Sequence, residues 1–237
     1  MRAALLIVCC GWLSAVPAMA YAQARPAASN PFGEGRLEIA GAVGIANGHH
    51  LKTEPATESG NGVPTGSPVT LFQTDTSFDR GTLFEGRVSW RVARAFAVEG
   101  TFSITRTHLR TEIKNDSEGA APTVATSPLN QYTAEGGIVW QPTRLRFHRG
   151  RARIFITGGG GYLRQLHDDA TLVETGGSAY AGGGLKYRLH EATKRAALKA
   201  IGIRVDGRLN LLRGGFDVVE SAWHAYPSLS AGLFVCF

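Results

Sequence analysis

Cysteine is scarce in this 237-residue chain: Cys9, Cys10 and Cys236 are the only three. Cys9 and Cys10 lie in an apolar amino-terminal stretch that reads as a cleaved leader. Cys236 is then left alone, which excludes an internal disulfide framework. A lipid-modified cysteine at the cleavage point is excluded too, because both early cysteines precede that point and follow Ile7-Val8. Long apolar runs are also missing. Beyond the leader no stretch reaches the roughly 18 apolar residues of a transmembrane helix, so any membrane-spanning part must be a closed β-barrel. No C-x-x-C or H-E-x-x-H frame offers a metal site. The runs Gly158–Gly161 and Gly182–Gly184 do not lead into a helix through Gly-Lys-Ser/Thr, so no phosphate loop is present. Glycine inside a strand instead marks sharp curvature or close approach. No cofactor is expected.

What is present begins with the leader. Arg2 gives a positive start, Ala3 to Leu13 an apolar core and Ala18-Met-Ala20 a small-x-small cleavage site, with Ala22-Gln-Ala24 a second. The expectation is a secretory signal peptide within residues 1–24, cleaved after Ala20 or Ala24. A short Pro/Ala/Ser-rich lead follows over residues 25–34, and one domain over residues 35–237. An amino-terminal anchor helix is the other reading of the apolar run, which is about half of the roughly 20 residues a span needs.

From Arg36 onward one theme repeats eight times: an alternating segment, then a polar connector. The first segment, Arg36 to Ala46, carries Leu37, Ile39, Val43 and Ile45 on one face; the last, Ala225 to Phe237, carries Leu229, Ala231, Leu233 and Val235. The period of two predicts strands, each near the 9 to 11 residues of a tilted membrane strand. The opposite faces hold Glu38, Glu85, Arg87, Glu99, Glu135, Lys186, Arg188, Arg204, Asp206 and Arg208. A soluble sandwich would place charge outside and keep a dry interior; this pattern is the reverse. The fold expected is therefore an all-β, eight-stranded antiparallel up-and-down transmembrane β-barrel. Eight strands enclose only enough room for side chains. The inward charges are then expected to plug the lumen in pairs, with Arg87, Arg204 and Arg208 meeting Glu38, Glu85, Glu99, Glu135 or Asp206. Phe84, Trp90, Phe96, Tyr132, Trp140 and Tyr187 sit on the apolar face near segment ends, where aromatic girdles meet the membrane interface.

Connectors alternate in length. Those at 47–79, 108–128, 164–175 and 212–223 are long and sum to −7, whereas those at 91–94, 141–153 and 188–200 are shorter and sum to +10. Long loops outside and short turns inside are the outer-membrane asymmetry. The first connector reads as a mobile Gly/Thr/Ser/Pro-rich loop with an adhesive role. The basic end could meet anionic head groups through Arg144, Arg146, Arg149, Arg151 and Arg153. Nucleic acid is not expected as a partner, for want of a matching motif. Of seven histidines, His49, His50, His108, His167 and His224 fall in or beside the long connectors. Ser221 and His224 with Glu220 come nearest to a nucleophile, base and acid set, and read more plainly as solvated loop residues. His49-His50 with Asp75 or Asp79, and His167-Asp168-Asp169, make at best an adventitious metal site, so no catalytic or metal residue is assigned.

Phe96-Ala-Val-Glu99-Gly100, Gly159-Gly-Gly161-Tyr162, Gly202-Ile-Arg204-Val-Asp206 and the carboxy-terminal Ser230-Ala-Gly232-Leu-Phe-Val235-Cys-Phe237 carry a resemblance over about residues 35 to 237. The chain resembles the small OmpA/OmpX-type barrels of the outer membrane protein β-barrel domain group. The resemblance implies a place in the bacterial outer membrane, contact with its lipids and lipopolysaccharide, and a carboxy-terminal assembly signal, Gly232, Val235 and Phe237, read by the barrel-assembly machinery. Val235 stands where that group usually has an aromatic. The function expected is a non-enzymatic structural or surface-interaction role through the long loops, its surface ligand unspecified. The alternatives are a lipid-modifying enzyme, a narrow solute pore and a secreted β-sandwich.

Overall fold

The computed structural model describes residues 36–58, 69–167, 173–191, 197–214 and 223–237. The expected leader and lead, Glu220, Ser221, Asp168 and Asp169 lie outside these residues. The strands are β1 (Leu37–Ala46), β2 (His49–Glu58), β3 (Val69–Phe78), β4 (Gly81–Arg91), β5 (Phe96–Lys114), β6 (Thr123–Trp140), β7 (Arg146–Phe147), β8 (Ala152–His167), β9 (Val173–Glu191), β10 (Ala200–Gly214) and β11 (Trp223–Cys236).

Eight of them close into an antiparallel ring in the order β1, β4, β5, β6, β8, β9, β10, β11 and back to β1. The closing seam runs from Glu38 opposite Cys236 to Ala46 opposite Ser228. Beyond it the Phe237 amide donates to the Leu37 carbonyl at 2.8 Å. Closure satisfies every edge of the ring, as a lipid-facing sheet requires. The three short connectors and both termini of the ring share one end, here the terminal end. The distal end holds the longer connections.

Alternation decides which way each strand faces. Along β4, Leu83, Glu85, Arg87 and Ser89 are buried while Phe84, Val88 and Trp90 are exposed, and β10 and β11 repeat the rule. Leu233 at 60% and Val43 at 54% exposure would waste apolar area in water. In hydrocarbon the same faces are solvated, so this is a barrel of the transmembrane type. Among the described residues no helix is long and apolar enough to cross a membrane.

The structure departs from the sequence reading in three places. β5, β6, β8 and β9 run on for 16 to 19 residues, because Thr, Val and polar residues of the expected loops continue the ladder above the apolar belt. The first long connector is a strand hairpin at both its described ends, not a loop: β2 pairs with β3, and β3 continues the ladder on β5 from Phe78 opposite Leu109 to Gln73 opposite Lys114. Between β3 and β4 the Asp79 amide donates to the His108 carbonyl at 2.9 Å, and the Thr107 hydroxyl donates to the Asp79 carbonyl at 2.6 Å. β3 and β4 thus read as one strand with a short interruption. The third departure is the 141–153 connector. It carries β7 on β8 and a 3-10 turn, His148–Gly150, rather than a plain turn.

Candidate functional site

Charge is concentrated on the inner wall, at mid-height. Arg204 on β10 holds Glu99 on β5 with both terminal nitrogens, at 2.5 and 3.0 Å, and reaches along its own strand to Asp206 at 2.9 and 3.0 Å. Asp206 accepts from Arg87 on β4 at 2.6 Å; Arg87 also donates to Glu85. Arg208 closes the cluster, lying 3.4 Å from Glu99, 3.7 Å from Glu85 and 3.8 Å from Glu135. Toward the terminal end Lys186 on β9 donates to Glu38 on β1 at 2.5 Å, and Arg204 stands 3.6 Å from the same carboxylate. The structure brings together all eight charges expected to pair, and Lys186, another of the inward positions, joins them through Glu38. Five carboxylates face four cations, contributed by β1, β4, β5, β6, β9 and β10.

Burial makes these pairs matter. Glu99 is 0% and Asp206 1% exposed. A lone charge so placed costs several kcal/mol, so each must be matched. Hydroxyls add to the carboxylates' partners: Ser89 donates to Glu99 at 2.6 Å and Ser230 to Glu85 at 2.6 Å. The void between Leu83, Glu85, Thr133, Glu135, Arg208 and Ser228 has room for about one water molecule.

Aromatic rings inside the barrel were not among the residues singled out. The Arg204 guanidinium lies 4.5 Å from the centre of the Phe155 ring and that of Arg208 4.5 Å from Tyr180. Lys186 lies 5.4 Å from Phe155 and 5.8 Å from Phe234. Each stack gives a desolvated cation a second favourable face. Two glycines make the room: a Cβ on Gly184 would stand 2.7 Å from the Phe155 ring, and one on Gly202 2.5 Å from that of Phe234. Phe155 falls at an inward position of its alternating segment, between Arg153 and Thr157, and that parity is the signal that could have found it.

At the distal end the chemistry changes from charge to amide and ring. Gln165 donates to Gln131 at 3.2 Å, and Gln131 to the Tyr226 hydroxyl at 3.2 Å. His49, at the start of β2, stacks on Tyr226 with ring centres 5.2 Å apart and lies 5.8 Å from His224. Burial first, and the nearby charge of His224 second, push its imidazole down to about 4. His50 points the other way and meets Asp75 on β3 at 2.6 Å, where Lys114 of β5 also donates at 2.6 Å. The Lys114 hydrogen bond, with help from His50, holds the Asp75 carboxyl below the usual carboxylate range; Asp75 in turn raises Lys114. Adjacent histidines thus face different surroundings, and among the described residues no three His, Cys, Asp or Glu groups converge as a metal site.

The apolar-face aromatics fall at two levels. Trp90, Phe96, Trp140 and Tyr187 ring the terminal end, with Phe96 opposite Trp140. Phe84 and Tyr132 lie toward the distal end, where the Arg106 guanidinium stands 5.9 Å from the Phe84 ring and Arg164 pairs in register with Tyr132. Val235 and Phe237 lie beside the closing seam on the outer face; Gly232 faces inward, where a Cβ would stand 2.7 Å from that of Ala42. Of the basic residues expected at the head groups, Arg153 turns into the lumen mouth at 8% exposure, because odd positions of β8 face inward. Arg144 and Arg151 are exposed.

No family model matches the chain, and neither does any curated relative. Among solved structures it is similar to the outer membrane protein OprG from Pseudomonas aeruginosa, at 11% identity over 87% of this chain and 97% of that one, with a TM-score of 0.49. It is similar also to Ail, the attachment invasion locus protein of Yersinia pestis, in complex with the heparin analogue sucrose octasulfate, at 11% identity over 85% and 99% with a TM-score of 0.40. The outer membrane protein AlkL in DMPC lipid bilayers gives 15% identity over 90% and 96%, with a TM-score of 0.40.

Proposed function

We propose that the chain is an integral outer-membrane protein acting without catalysis: a shut barrel that holds an extended distal wall at the cell surface. The observation that carries this reading is the filled lumen, where Glu99, Arg204, Asp206, Arg87 and Arg208 meet across the ring at mid-height with apolar side chains outside. In that setting the terminal end, with its short connectors, faces the periplasm, and the β2–β3 hairpin with the tops of β5, β6, β8 and β9 faces outward. The belt meets outer-membrane lipids and lipopolysaccharide. Gly232, Val235 and Phe237 serve recognition by the assembly machinery. The distal wall supports a surface role because it is built, not loose: Asp75 ties β2, β3 and β5 through His50 and Lys114.

Planar-bilayer recording of the refolded protein tests the shut lumen, and no unit conductance steps are expected. Regular steps would overturn it in favour of a pore. A lipid A modification assay on wild type and His224→Ala tests the non-catalytic reading. Activity lost in the variant would make the protein an enzyme.

A further inference from the structure

We propose that Arg106, Arg164 and Arg213 form a clasp on the outer wall for the phosphate groups of an outer-leaflet lipid, a site that rests on the outer-membrane placement proposed above. All three are exposed. Each holds an outward position of its strand: Arg106 follows Phe102 and Ile104 on β5, Arg164 follows Ile156 and Tyr162 on β8, and Arg213 follows Leu209 and Leu211 on β10. Followed from the terminal end, each is the first charged residue on its outward face. The three therefore mark the distal edge of the apolar belt.

Strand register puts them at one height. A row of paired residues that starts at Glu38 on β1 and passes through Ser89, Glu99 and Gly137 ends at Tyr226 on β11. Tyr226 lies two residues past the Ser228 that pairs with Ala46, hence level with Gly48. Rows thus climb from position 38 to 48 in one circuit of eight strands, as the strand tilt of a barrel requires. Arg106 shares its row with Asn130 and Leu166, and Arg164 stands two residues below Leu166. Arg164 in turn faces Thr175, while Arg213 faces Gly177, two residues lower on β9. These downward steps offset the climb. With strands about 4.8 Å apart and about 3.4 Å per residue, successive arginines are roughly 12 Å apart at Cα.

Their surroundings suit a lipid head group. Among the described residues no carboxylate pairs with any of the three, whereas Arg110, higher on β5, stands 3.8 Å from Glu112. Rings attend them instead: Arg106 lies 5.9 Å from the centre of Phe84, Arg213 lies 6.0 Å from that of Trp223, and Arg164 is opposite Tyr132. An aromatic face steadies a guanidinium at the depth where head groups begin. The guanidinium fork presents paired N–H donors to phosphate oxygens. Below Arg164 and Arg213 the outward residues of β8 and β9 are small, with Gly160 opposite Ala179 and Gly158 opposite Ala181. Acyl chains beneath a held phosphate can lie close to the backbone there, continuous with the lipid-facing belt. Three arginines spread over five strands suit a head group with two phosphates better than one with a single phosphate.

Native mass spectrometry of the full chain, refolded in nonionic detergent and titrated with diphosphoryl lipid A, tests the clasp. Saturable retention of one lipid per chain is expected, weakening as salt rises. Arg164→Gln should weaken it about tenfold, and the triple change Arg106→Gln, Arg164→Gln, Arg213→Gln should abolish it. Arg110→Gln should leave it unchanged. Each variant must keep its heat-dependent gel shift, which exposed positions allow. Lipid A stripped of both phosphates should not be retained. No saturable retention by wild type, equal retention by wild type and the triple variant, or equal retention of the dephosphorylated lipid overturns the proposal. Fractionation of cells separates this from the reading beneath it. Wild-type protein in the outer membrane without lipid A retention sinks the clasp alone, whereas wild-type protein absent from that membrane takes both down.

Discussion

Glu99 shows what a single residue does in this lumen. It accepts from Arg204, Arg208 and Ser89 at full burial, so removing its charge strands two guanidinium groups whose other partners are already shared. Breaking a buried pair by removing one partner costs about 3–5 kcal/mol, whereas replacing both partners with apolar groups can be nearly neutral. Glu99→Gln should therefore lower the urea midpoint of the folded, heat-modifiable form by that order. The double variant Glu99→Leu, Arg204→Met should lose less than the sum of the single changes; strict additivity would mean that the two side chains are not coupled. His49 gives the pH counterpart. Its folded-state value of about 4 lies below the ordinary 6.5, so between those limits the unfolded chain binds the extra proton and the packing of His49 on Tyr226 weakens as pH falls. The contribution is fully present above pH 6.5 and gone below about pH 4. NMR titration of the imidazole should give a midpoint near 4, moving upward in His224→Ala as the repelling charge is lost. A midpoint near 6.5 in wild type would sink the stacked, buried assignment.

Among the elements, the hairpin β2–β3 is held unequally on its two sides. β3 sits in the β5 ladder, whereas among the described residues β2 pairs with β3 only, after the Asn47 amide makes its bond to the Pro227 carbonyl at 2.9 Å. Amides of Gln73–Phe78 that donate into β5 should exchange slowly, and the outward-directed amides of β2 fast. Asp75→Ala should quicken exchange in β3 without moving the barrel's urea midpoint, since the carboxylate is solvent-facing and joins only the hairpin to β5. Equal protection along both strands would show that β2 has a partner on its outer edge. The hairpin was also the element least legible in the sequence, for a physical reason. Alternation is readable where one face meets lipid and the other the lumen, as in Phe84 to Trp90; above the belt Gln73–Ser77 is polar on both faces and the signal disappears. Such a polar run resembles a loop. The inward charges were legible because parity alone places Glu38, Arg87 or Asp206 on the inner face. Their partners were not, because Arg204 meets Glu99 only through the stagger of non-neighbouring strands. Phe155 stayed hidden as a lumen ring, since an apolar residue on a polar face looks like an interruption of the pattern rather than a cation's platform.

At the scale of the whole molecule the fold separates a scaffold from what it carries. The ring's ladders involve β1 with β4 from Leu37 opposite Trp90 to Ala46 opposite Gly81, so the strands that flank the hairpin are joined to each other directly beneath it. Ala46 and Gly81 are already neighbours there, and a two-residue type I′ turn spans such a pair in an antiparallel ladder. Replacing residues 47–80 with Asn-Gly should therefore leave all eight ring strands paired. It removes the His49 stack and the contacts of Asp75, but none of the ion pairs around Arg204. The expected outcome is a protein that still assembles in the outer membrane, still shifts on unheated gels and still gives no conductance steps, while any binding to host or environmental surfaces is lost. If the shortened protein failed to fold, the hairpin would be part of the barrel's stability. If it folded and began to conduct, the hairpin and His49 would be part of the closure, and the mid-height ion pairs alone would not account for a shut lumen.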